Sequence, residues 1–183
     1  MKCVLLGVTG SIAAFKAASI ASGLKKRGIE VHVVMTESST HFITPLTMQI
    51  QSEQPVHLDV MAEPIAGKIN HIDLAQSCDL VLIAPATANI IGKLAHGIGD
   101  EMLSTVCLAV PPDVPKLIAP AMNTKMYQQL VVQENLKKLI SYGYEEIKPV
   151  SQKLACGDVG IGALAAVDDI VEKVISRLTD LTF

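Results

Sequence analysis

The sequence predicts an α/β protein with a doubly wound parallel sheet, folded as a single domain over residues 1–183. Short apolar runs alternate with segments of helical apolar spacing along the whole chain, which is the pattern of a parallel sheet with crossover helices. Half of the residues are apolar and only 3% are aromatic, and strands rich in Val, Ile and Leu are typical of a sheet covered on both faces. A length of 183 residues suits one domain.

Five apolar runs predict the strands, and turn residues mark their ends. The third and fourth runs stop at Pro85 and Pro120, and the first runs into the turn at residues 7–11. The predicted strands are Lys2–Val8, Val31–Met35, Asp79–Ala84, Lys116–Ala119 and Tyr144–Val150. Residues 52–70 are less regular, and Ser151–Gly162 is predicted to be a glycine-containing loop.

Segments with helical apolar spacing lie between and after these strands. Ser11 is placed to cap the first helix, Pro45 fits the first turn of the second, and Gly28 and Gly143 each end a helix. The predicted helices are Ala13–Arg27, Pro45–Gln51, Thr87–Leu94, Asp100–Val110, Thr124–Tyr142 and Val167–Leu178.

Charge, cysteine usage and hydropathy exclude several classes of function. The net charge is −3 and the lysines and arginines form no basic patch, so we expect no nucleic-acid partner. The four cysteines match no zinc or CxxC spacing, and such low usage suits a reducing compartment, which favours a cytoplasmic protein. No run reaches about 18 apolar residues, so no membrane span is expected. The interrupted apolar N-terminus predicts strand, loop and helix rather than a secretion signal.

The carboxyl ends of the strands are where a sheet of this kind binds ligands. After the first strand, Gly7-x-x-Gly10-Ser11 offers backbone N–H groups at a helix N-terminus, which suits a phosphate. The spacing is not GxGxxG, so a mononucleotide is favoured over a dinucleotide, and a plain tight turn is the alternative. The hydroxyls of Thr36–Ser39 suit the same ligand, or an ordinary helix cap.

Two later strand ends carry small residues followed by an amide, Pro85–Asn89 (PATAN) and Pro120–Asn123 (PAMN). Small residues let a flat ring approach the backbone, and an asparagine can bind a ring edge or a carboxylate. Either asparagine can instead serve only as a helix cap.

One histidine and one cysteine stand out from the others of their type. His71 lies in an irregular region just before the third strand with Asp73 close by, whereas any single histidine is more often structural. Cys156 lies in a flexible, glycine-containing loop where a thiol can reach a ligand, whereas Cys3, Cys78 and Cys107 have the apolar surroundings of a core.

Taken together in order, these segments resemble the homo-oligomeric flavin-containing cysteine decarboxylases over nearly the whole chain. PAMN and ACGD are the most specific of the matching motifs. The segments that carry the resemblance are Gly7–Ala14 (GVTGSIAA), Thr36–Ser39 (TESS), Asn70–Ile72 (NHI), Pro85–Asn89 (PATAN), Pro120–Asn123 (PAMN) and Leu154–Gly162 (LACGDVGIG).

The resemblance implies a flavodoxin-like Rossmann arrangement that forms one flavoprotein decarboxylase domain. It also implies FMN as cofactor, and a homotrimer, or a multiple of trimers, with the active site at a subunit boundary. The implied reaction is decarboxylation of 4′-phosphopantothenoylcysteine to 4′-phosphopantetheine in coenzyme A biosynthesis, through thioaldehyde and enethiol intermediates. No metal is implied.

Roles for individual residues follow from the same resemblance. His71 and Cys156 match catalytic residues, Asn123 matches the clamp on the substrate carboxylate, and Ala155 matches a substrate contact. Lys153 stands where plant members carry arginine, and lysine keeps the charge without the forked geometry. The implied FMN contacts are Gly10, Ser11, Ile12, Thr36, Glu37, Ser38, Thr87, Ala88, Asn89, Ile90 and Ala121.

Several other functions are compatible with parts of this pattern. A peptidyl-cysteine decarboxylase of lantibiotic synthesis shares the histidine and the PAMN-type motif, but its substrate flap differs. A flavin prenyltransferase lacks PAMN and the flap cysteine. A non-catalytic FMN-binding regulatory subunit would need neither His71 nor Cys156, and a general α/β nucleotide-binding module would carry no flavin.

Overall fold

A computed structural model describes residues 1–62, 70–153 and 159–180. These residues form a six-stranded parallel sheet in the order β3-β2-β1-β4-β5-β6 and a separate antiparallel pair, β7-β8. The strands are β1 Cys3–Val8, β2 Glu30–Met35, β3 Val56–His57, β4 Leu80–Ala86, β5 Lys116–Pro120, β6 Tyr144–Glu146, β7 Val150–Lys153 and β8 Val159–Ala163.

Helices cover both faces of the sheet, which confirms the predicted doubly wound class. Two short 3-10 helices, Ile12–Ala14 and Glu37–His41, follow β1 and β2. The α-helices are α1 Phe15–Lys25, α2 Pro45–Ser52, α3 Asn70–Ser77, α4 Ala88–Ala95, α5 Met102–Ala109, α6 Thr124–Tyr127, α7 Leu130–Ser141 and α8 Val167–Asp180. No helix in the described ranges is long and apolar enough to span a lipid bilayer.

The two faces of the sheet hold separate hydrophobic clusters. Helices α1, α2 and α8 bury residues on one face, and α3, α4, α5 and α7 bury residues on the other. Every residue of β1 and β4 is buried, because these central strands face helices on both sides. Their continuous apolar runs in the sequence have this physical cause.

Between residues 124 and 162 the structure differs from the secondary structure predicted from the sequence. The single helix predicted over Thr124–Tyr142 is two helices, because Tyr127 is buried and its hydroxyl donates to Glu146 Oε1 at 2.8 Å, while α7 buries a different set of residues. The strand predicted over Tyr144–Val150 ends at Glu146, before Pro149, which has no N–H group to continue a ladder. The predicted loop Ser151–Gly162 contains most of β7 and β8, which pair in antiparallel register.

The region from 52 to 77 differs from the prediction as well. Val56–His57 adds a short parallel strand at the edge of the sheet, and His71 lies in the first turn of helix α3 rather than in irregular chain. Helix α3 buries only Leu74 and Ala75, so it lacks the long apolar stripe by which a helix is recognised in a sequence.

The buried hydroxyl of Thr9 ties the carboxyl ends of β1 and β4 together. Thr9 Oγ1 donates to the carbonyl oxygen of Pro85 at 2.7 Å and accepts from the backbone N–H of Thr87 at 3.0 Å. Thr9 is 1% exposed, so no bulk water replaces these partners. The two loops that leave the central strands are therefore held at a fixed separation.

Replacing Thr9 with valine keeps the shape of the side chain and removes both hydrogen bonds. We expect Thr9→Val to lower the free energy of unfolding by about 1–3 kcal/mol, because a buried carbonyl and a half-buried N–H lose their partner. Chemical denaturation measures the change, and Thr9→Ser, which keeps the hydroxyl, is the matched control. Equal stability of wild type and Thr9→Val would contradict this role.

Candidate functional site

A cavity of about 610 Å³ lies at the carboxyl edge of the parallel sheet. The loops after β1, β2, β4 and β5 line it, together with residues of β7 and β8. The chain leaves β1 toward one face of the sheet and β4 toward the other, and ligand sites form where such connections separate. The volume is in the range of small-molecule and cofactor sites.

The cavity brings together ten of the eleven residues that the resemblance assigns to flavin contact. Those ten line its wall: Gly10, Ser11, Ile12, Thr36, Ser38, Thr87, Ala88, Asn89, Ile90 and Ala121. Glu37 is exposed and lies outside the lining. The contacts themselves stay a prediction.

Gly10 lets the loops after β1 and β2 touch. A Cβ atom at residue 10 would lie 3.1 Å from the Ser38 carbonyl carbon and 2.5 Å from Ser38 Cβ, and the second distance is closer than non-bonded carbon atoms approach. Below this contact, the N–H of Thr36 donates to the carbonyl oxygen of Val8 at 3.0 Å. A side chain at residue 10 would push the two loops apart and deform the cavity.

Thr36 contributes a hydroxyl that the protein itself does not use. Its Oγ1 is buried and has no hydrogen-bond partner within the described ranges. The hydroxyl of Ser39, by contrast, donates to the Thr36 carbonyl oxygen at 2.7 Å and lies outside the cavity lining. An unpartnered buried hydroxyl costs about 1–3 kcal/mol, and a phosphate oxygen bound here would remove that cost.

The two asparagines of the later loops have different local roles. Asn123 Oδ1 accepts from the N–H of Lys125 at 2.8 Å and caps α6, as the helix-cap alternative predicts. Asn89 is not a cap, because Thr87 takes that position on α4 and its hydroxyl accepts from the N–H of Ile90. Both asparagines line the cavity, so helix capping accounts for the place of Asn123 and not for that of Asn89.

Strands β7 and β8 lie directly on the loop that carries Asn123. The N–H of Met122 donates to the carbonyl oxygen of Gly162 at 2.9 Å. A Cβ atom at Gly160 would lie 2.7 Å from Thr124 Oγ1, and one at Gly162 would overlap the Met122 carbonyl oxygen. Glycine at these two positions is therefore what allows the β7-β8 pair to reach the cavity.

Three predicted site residues near β7 and β8 lie partly or wholly outside the part of the chain that the structure describes. Ala155 and Cys156 lie outside the described residues, and only the backbone of Lys153 is described. Lys153 pairs with Val159, and Gln152 from the same strand lines the cavity. The strands on either side of residues 154–158 therefore lie beside the candidate site.

His71 is the one predicted catalytic residue with a described side chain, and it does not line this cavity. Its Nδ1 is buried and has no hydrogen-bond partner among the residues that the structure describes. Helix α3 ends just before Asp79, which binds the N–H of Cys3 at 2.7 Å at the amino edge of the sheet. The helix therefore begins, with His71, on the carboxyl side.

The cavity also contains two charged residues that the motifs did not predict, Lys16 and Glu101. Glu101 Oε1 lies 3.6 Å from Lys93 Nζ, and Lys93 makes a closer ion pair of 2.8 Å with Asp100. Burial raises the pKa of Glu101, and the charge of Lys93 opposes that shift. Neither residue belongs to a motif that marks the site, because Lys16 follows the Gly7–Ala14 motif and Glu101 follows the turn at Gly97–Gly99.

The cysteines outside residues 154–158 are core residues, as predicted. Cys3, Cys78 and Cys107 are buried and free. Burial raises the pKa of their thiols to about 12, 11 and 12. They stay protonated at neutral pH and are unsuited to nucleophilic or acid–base chemistry.

The donor set of the cavity fits a flat, phosphorylated cofactor. Thr36, Ser38 and Ser11 supply hydroxyls beside the loop backbone near Gly10, and Ala88 and Ala121 leave room for a ring against the strand ends. Hydroxyls and backbone N–H groups at a helix N-terminus are a recurrent phosphate site.

Comparison with known proteins assigns the chain to one family. The family model described as Flavoprotein matches residues 1–179. A probable phosphopantothenoylcysteine decarboxylase of Streptococcus mutans is 51% identical over 177 residues, which cover 97% of this chain and 99% of that protein. The coenzyme A biosynthesis bifunctional protein CoaBC of Bacillus subtilis is 47% identical over 169 residues, and the chain spans 41% of its length.

Solved structures agree with these relatives. A PPC decarboxylase mutant complexed with pantothenoylaminoethenethiol superimposes with a TM-score of 0.87 at 32% identity, covering 96% of this chain and 97% of that one. The FMN binding protein AtHal3 gives 0.83 at 33% identity, with 96% of both chains covered. The peptidyl-cysteine decarboxylase EpiD gives 0.81 at 26% identity, covering 96% of this chain and 99% of its own.

Adding a methyl group at Gly162 tests the contact between β8 and the Asn123 loop. We expect Gly162→Ala to lower the free energy of unfolding by about 1–3 kcal/mol, because its φ of 149° disfavours other residues and Cβ overlaps the Met122 carbonyl. Denaturation measures the loss. The matched control is Gly92→Ala in α4, whose Cβ meets only Asn135 Nδ2 at 3.8 Å and which should stabilise by about 0.5–1 kcal/mol. Equal effects of the two variants would refute the contact.

Proposed function

The chain belongs to the Flavoprotein family, and we propose that it is an FMN-dependent decarboxylase that converts 4′-phosphopantothenoylcysteine to 4′-phosphopantetheine. The observation that carries this proposal is the cavity at the carboxyl edge, whose wall combines residues of four separate motifs and includes the unpartnered Thr36 hydroxyl. The Streptococcus relative with the corresponding name is matched along almost its full length.

FMN is the flavin that we propose for the cavity. Gly10, Ser11, Thr36 and Ser38 would hold its phosphate, and Thr87, Ala88, Asn89, Ile90 and Ala121 would lie along the rest of the molecule. Ile12 is 60% exposed at the rim and would cover an edge of the bound cofactor. The structural neighbour AtHal3, an FMN binding protein, supports this choice over other flavins.

The chemistry explains why a flavin is needed at all. A carboxylate on a saturated carbon leaves with difficulty, because the electrons of the broken bond have no acceptor. A flavin held by these residues would make an acceptor available indirectly, because it can take two electrons from the CH₂–SH group and return them after CO₂ has left. An ethenethiol is a cysteine residue that has lost CO₂ and two hydrogen atoms, and a neighbouring PPC decarboxylase mutant is complexed with a compound of this kind.

The protein residues orient the substrate and move its protons. Asn123, fixed at the start of α6, would bind the carboxylate through its side chain. His71 would act as base or electrostatic partner while the thiol is oxidised and CO₂ is lost. Cys156 would give the last proton, and Ala155 and Lys153 would contact substrate from the same segment.

We place the complete site at a boundary between subunits of a homotrimer, or of a multiple of trimers. His71 has a buried Nδ1 but does not reach the cavity of its own chain. Phe15, a cavity residue in the first turn of α1, is 58% exposed, which is typical of an apolar side chain covered in an assembly. A neighbouring subunit would therefore bring its His71 to this rim.

The biological setting follows from the same reaction. Decarboxylation of this substrate is a step of coenzyme A biosynthesis, and the bifunctional relatives carry that role in their name. We propose a cytoplasmic location, supported by three free, buried cysteines.

Variants of the two catalytic residues should stop the reaction at different stages. His71→Asn should keep its FMN spectrum and lose CO₂ release by roughly 100-fold or more, the usual scale of general acid–base catalysis. Cys156→Ser should release CO₂ and accumulate a product two hydrogen atoms lighter than 4′-phosphopantetheine, detected by mass spectrometry. The class of substrate is tested by offering the wild-type chain a peptide with a C-terminal cysteine together with 4′-phosphopantothenoylcysteine, and comparing the rates at which the two are decarboxylated. Normal 4′-phosphopantetheine formation by either variant would remove that residue from the mechanism, and preference for the peptide would contradict the proposed substrate.

Mixing two inactive variants tests the subunit boundary. A chain with Gly10→Ala has a damaged cofactor loop and an intact His71, and a His71→Asn chain has the reverse. If neighbouring subunits share a site, co-expression should restore a fraction of wild-type CO₂ release, because some sites combine both intact halves. Activity no greater than the sum of the separate variants would contradict a shared site.

A further inference from the structure

Glu101 is an acidic residue in the wall of the cavity, outside every motif that marks the site. Among the cavity residues that the structure describes, only Lys16 and Glu101 carry a formal charge. Leu103, two residues further along, packs against Gly7 of β1. Glu101 therefore lies beyond the end of β1, close to where the loops after β1 and β4 separate.

The ion pair with Lys93 is the one side-chain interaction of Glu101 in the part of the chain that the structure describes, and it is a long one. Glu101 precedes α5 in extended conformation, but its side chain makes no capping hydrogen bond. Oε1 is buried and has no hydrogen-bond partner in the described ranges. Lys93 Nζ, at 3.6 Å, is beyond hydrogen-bond distance and is bound more closely by Asp100.

A buried carboxylate oxygen is unfavourable when its hydration is replaced only in part, and Oε1 has in exchange only the 3.6 Å ion pair with Lys93. The charge of Lys93 only partly offsets the effect of burial on the Glu101 pKa. An O–H or N–H group on a molecule in the cavity would provide the missing hydrogen bond. A flavin has both, in its ribityl hydroxyls and its ring N–H, whereas a phosphate would be repelled.

We propose that Glu101 accepts a hydrogen bond from an O–H or N–H group of the bound flavin, and so contributes to flavin binding beyond the four motif loops. This inference rests on the proposed function, because it takes the occupant of the cavity to be a flavin.

Comparing FMN with riboflavin separates a hydrogen bond from a mere charge effect. The two flavins share the ring and ribityl chain, and only FMN has the phosphate. Glu101→Gln should weaken both by a similar factor, roughly 10-fold, because a charged acceptor forms the stronger bond. Dissociation constants come from the change of flavin fluorescence on titration of the flavin-free full chain.

Two results would overturn the proposal. Tighter FMN binding with unchanged riboflavin binding would show that Glu101 acts only as a charge that repels the phosphate. Unchanged affinity for both flavins would show that Glu101 does not contact them. If Glu101→Gln does not fold, Glu101→Asp keeps the charge and withdraws the carboxylate by one methylene, and unchanged riboflavin affinity of that variant would contradict the proposal.

Asp100→Asn is the matched control. It removes a neighbouring carboxylate that also pairs with Lys93, but Asp100 lies outside the cavity lining. Its affinities for both flavins should stay within about twofold of wild type, and a loss equal to that of Glu101→Gln would assign the effect to Lys93 instead. If the wild-type chain binds neither flavin, the proposed function itself fails.

Discussion

The hydrogen bonds of one buried hydroxyl fix the centre of the molecule. Thr9 joins the loop after β1 to the loop after β4, and both strands are buried along their whole length. The other two loops that line the cavity are held against the two loops that Thr9 joins. The loop after β2 is held to one side of it through Gly10, and the loop after β5 to the other through the carbonyl of Ala86, which accepts from Ala121 N–H at 3.0 Å.

Close backbone approach, rather than charge, shapes the candidate site. Gly10, Gly160 and Gly162 each stand where a Cβ atom would collide with a neighbouring segment, so backbone, hydroxyls and small side chains form much of the cavity wall. Such walls suit a flat ring and a phosphate held by neutral donors. In the proposed reaction the cofactor would supply the electron transfer, and the protein would contribute orientation and proton transfer.

Much of the fold and of the candidate site could be predicted from the sequence, because the sequence patterns that mark them are local. Continuous apolar runs identify the central strands, and motifs at strand ends identify the cavity wall, since parallel strands bring those ends to one edge. Helix α3 and the break after Tyr127 are decided by packing against distant elements, which no local pattern records. Lys16 and Glu101 enter the cavity through helix placement, so nothing in their immediate neighbours marks them.

The central claim is that a flavin held in this cavity makes decarboxylation possible. The most direct measurement is CO₂ release from 4′-phosphopantothenoylcysteine as a function of FMN occupancy, in samples of the full chain stripped of flavin and reconstituted in steps. The account predicts release proportional to bound FMN and none from the flavin-free chain. Release by the flavin-free chain at the rate of the reconstituted one would contradict it.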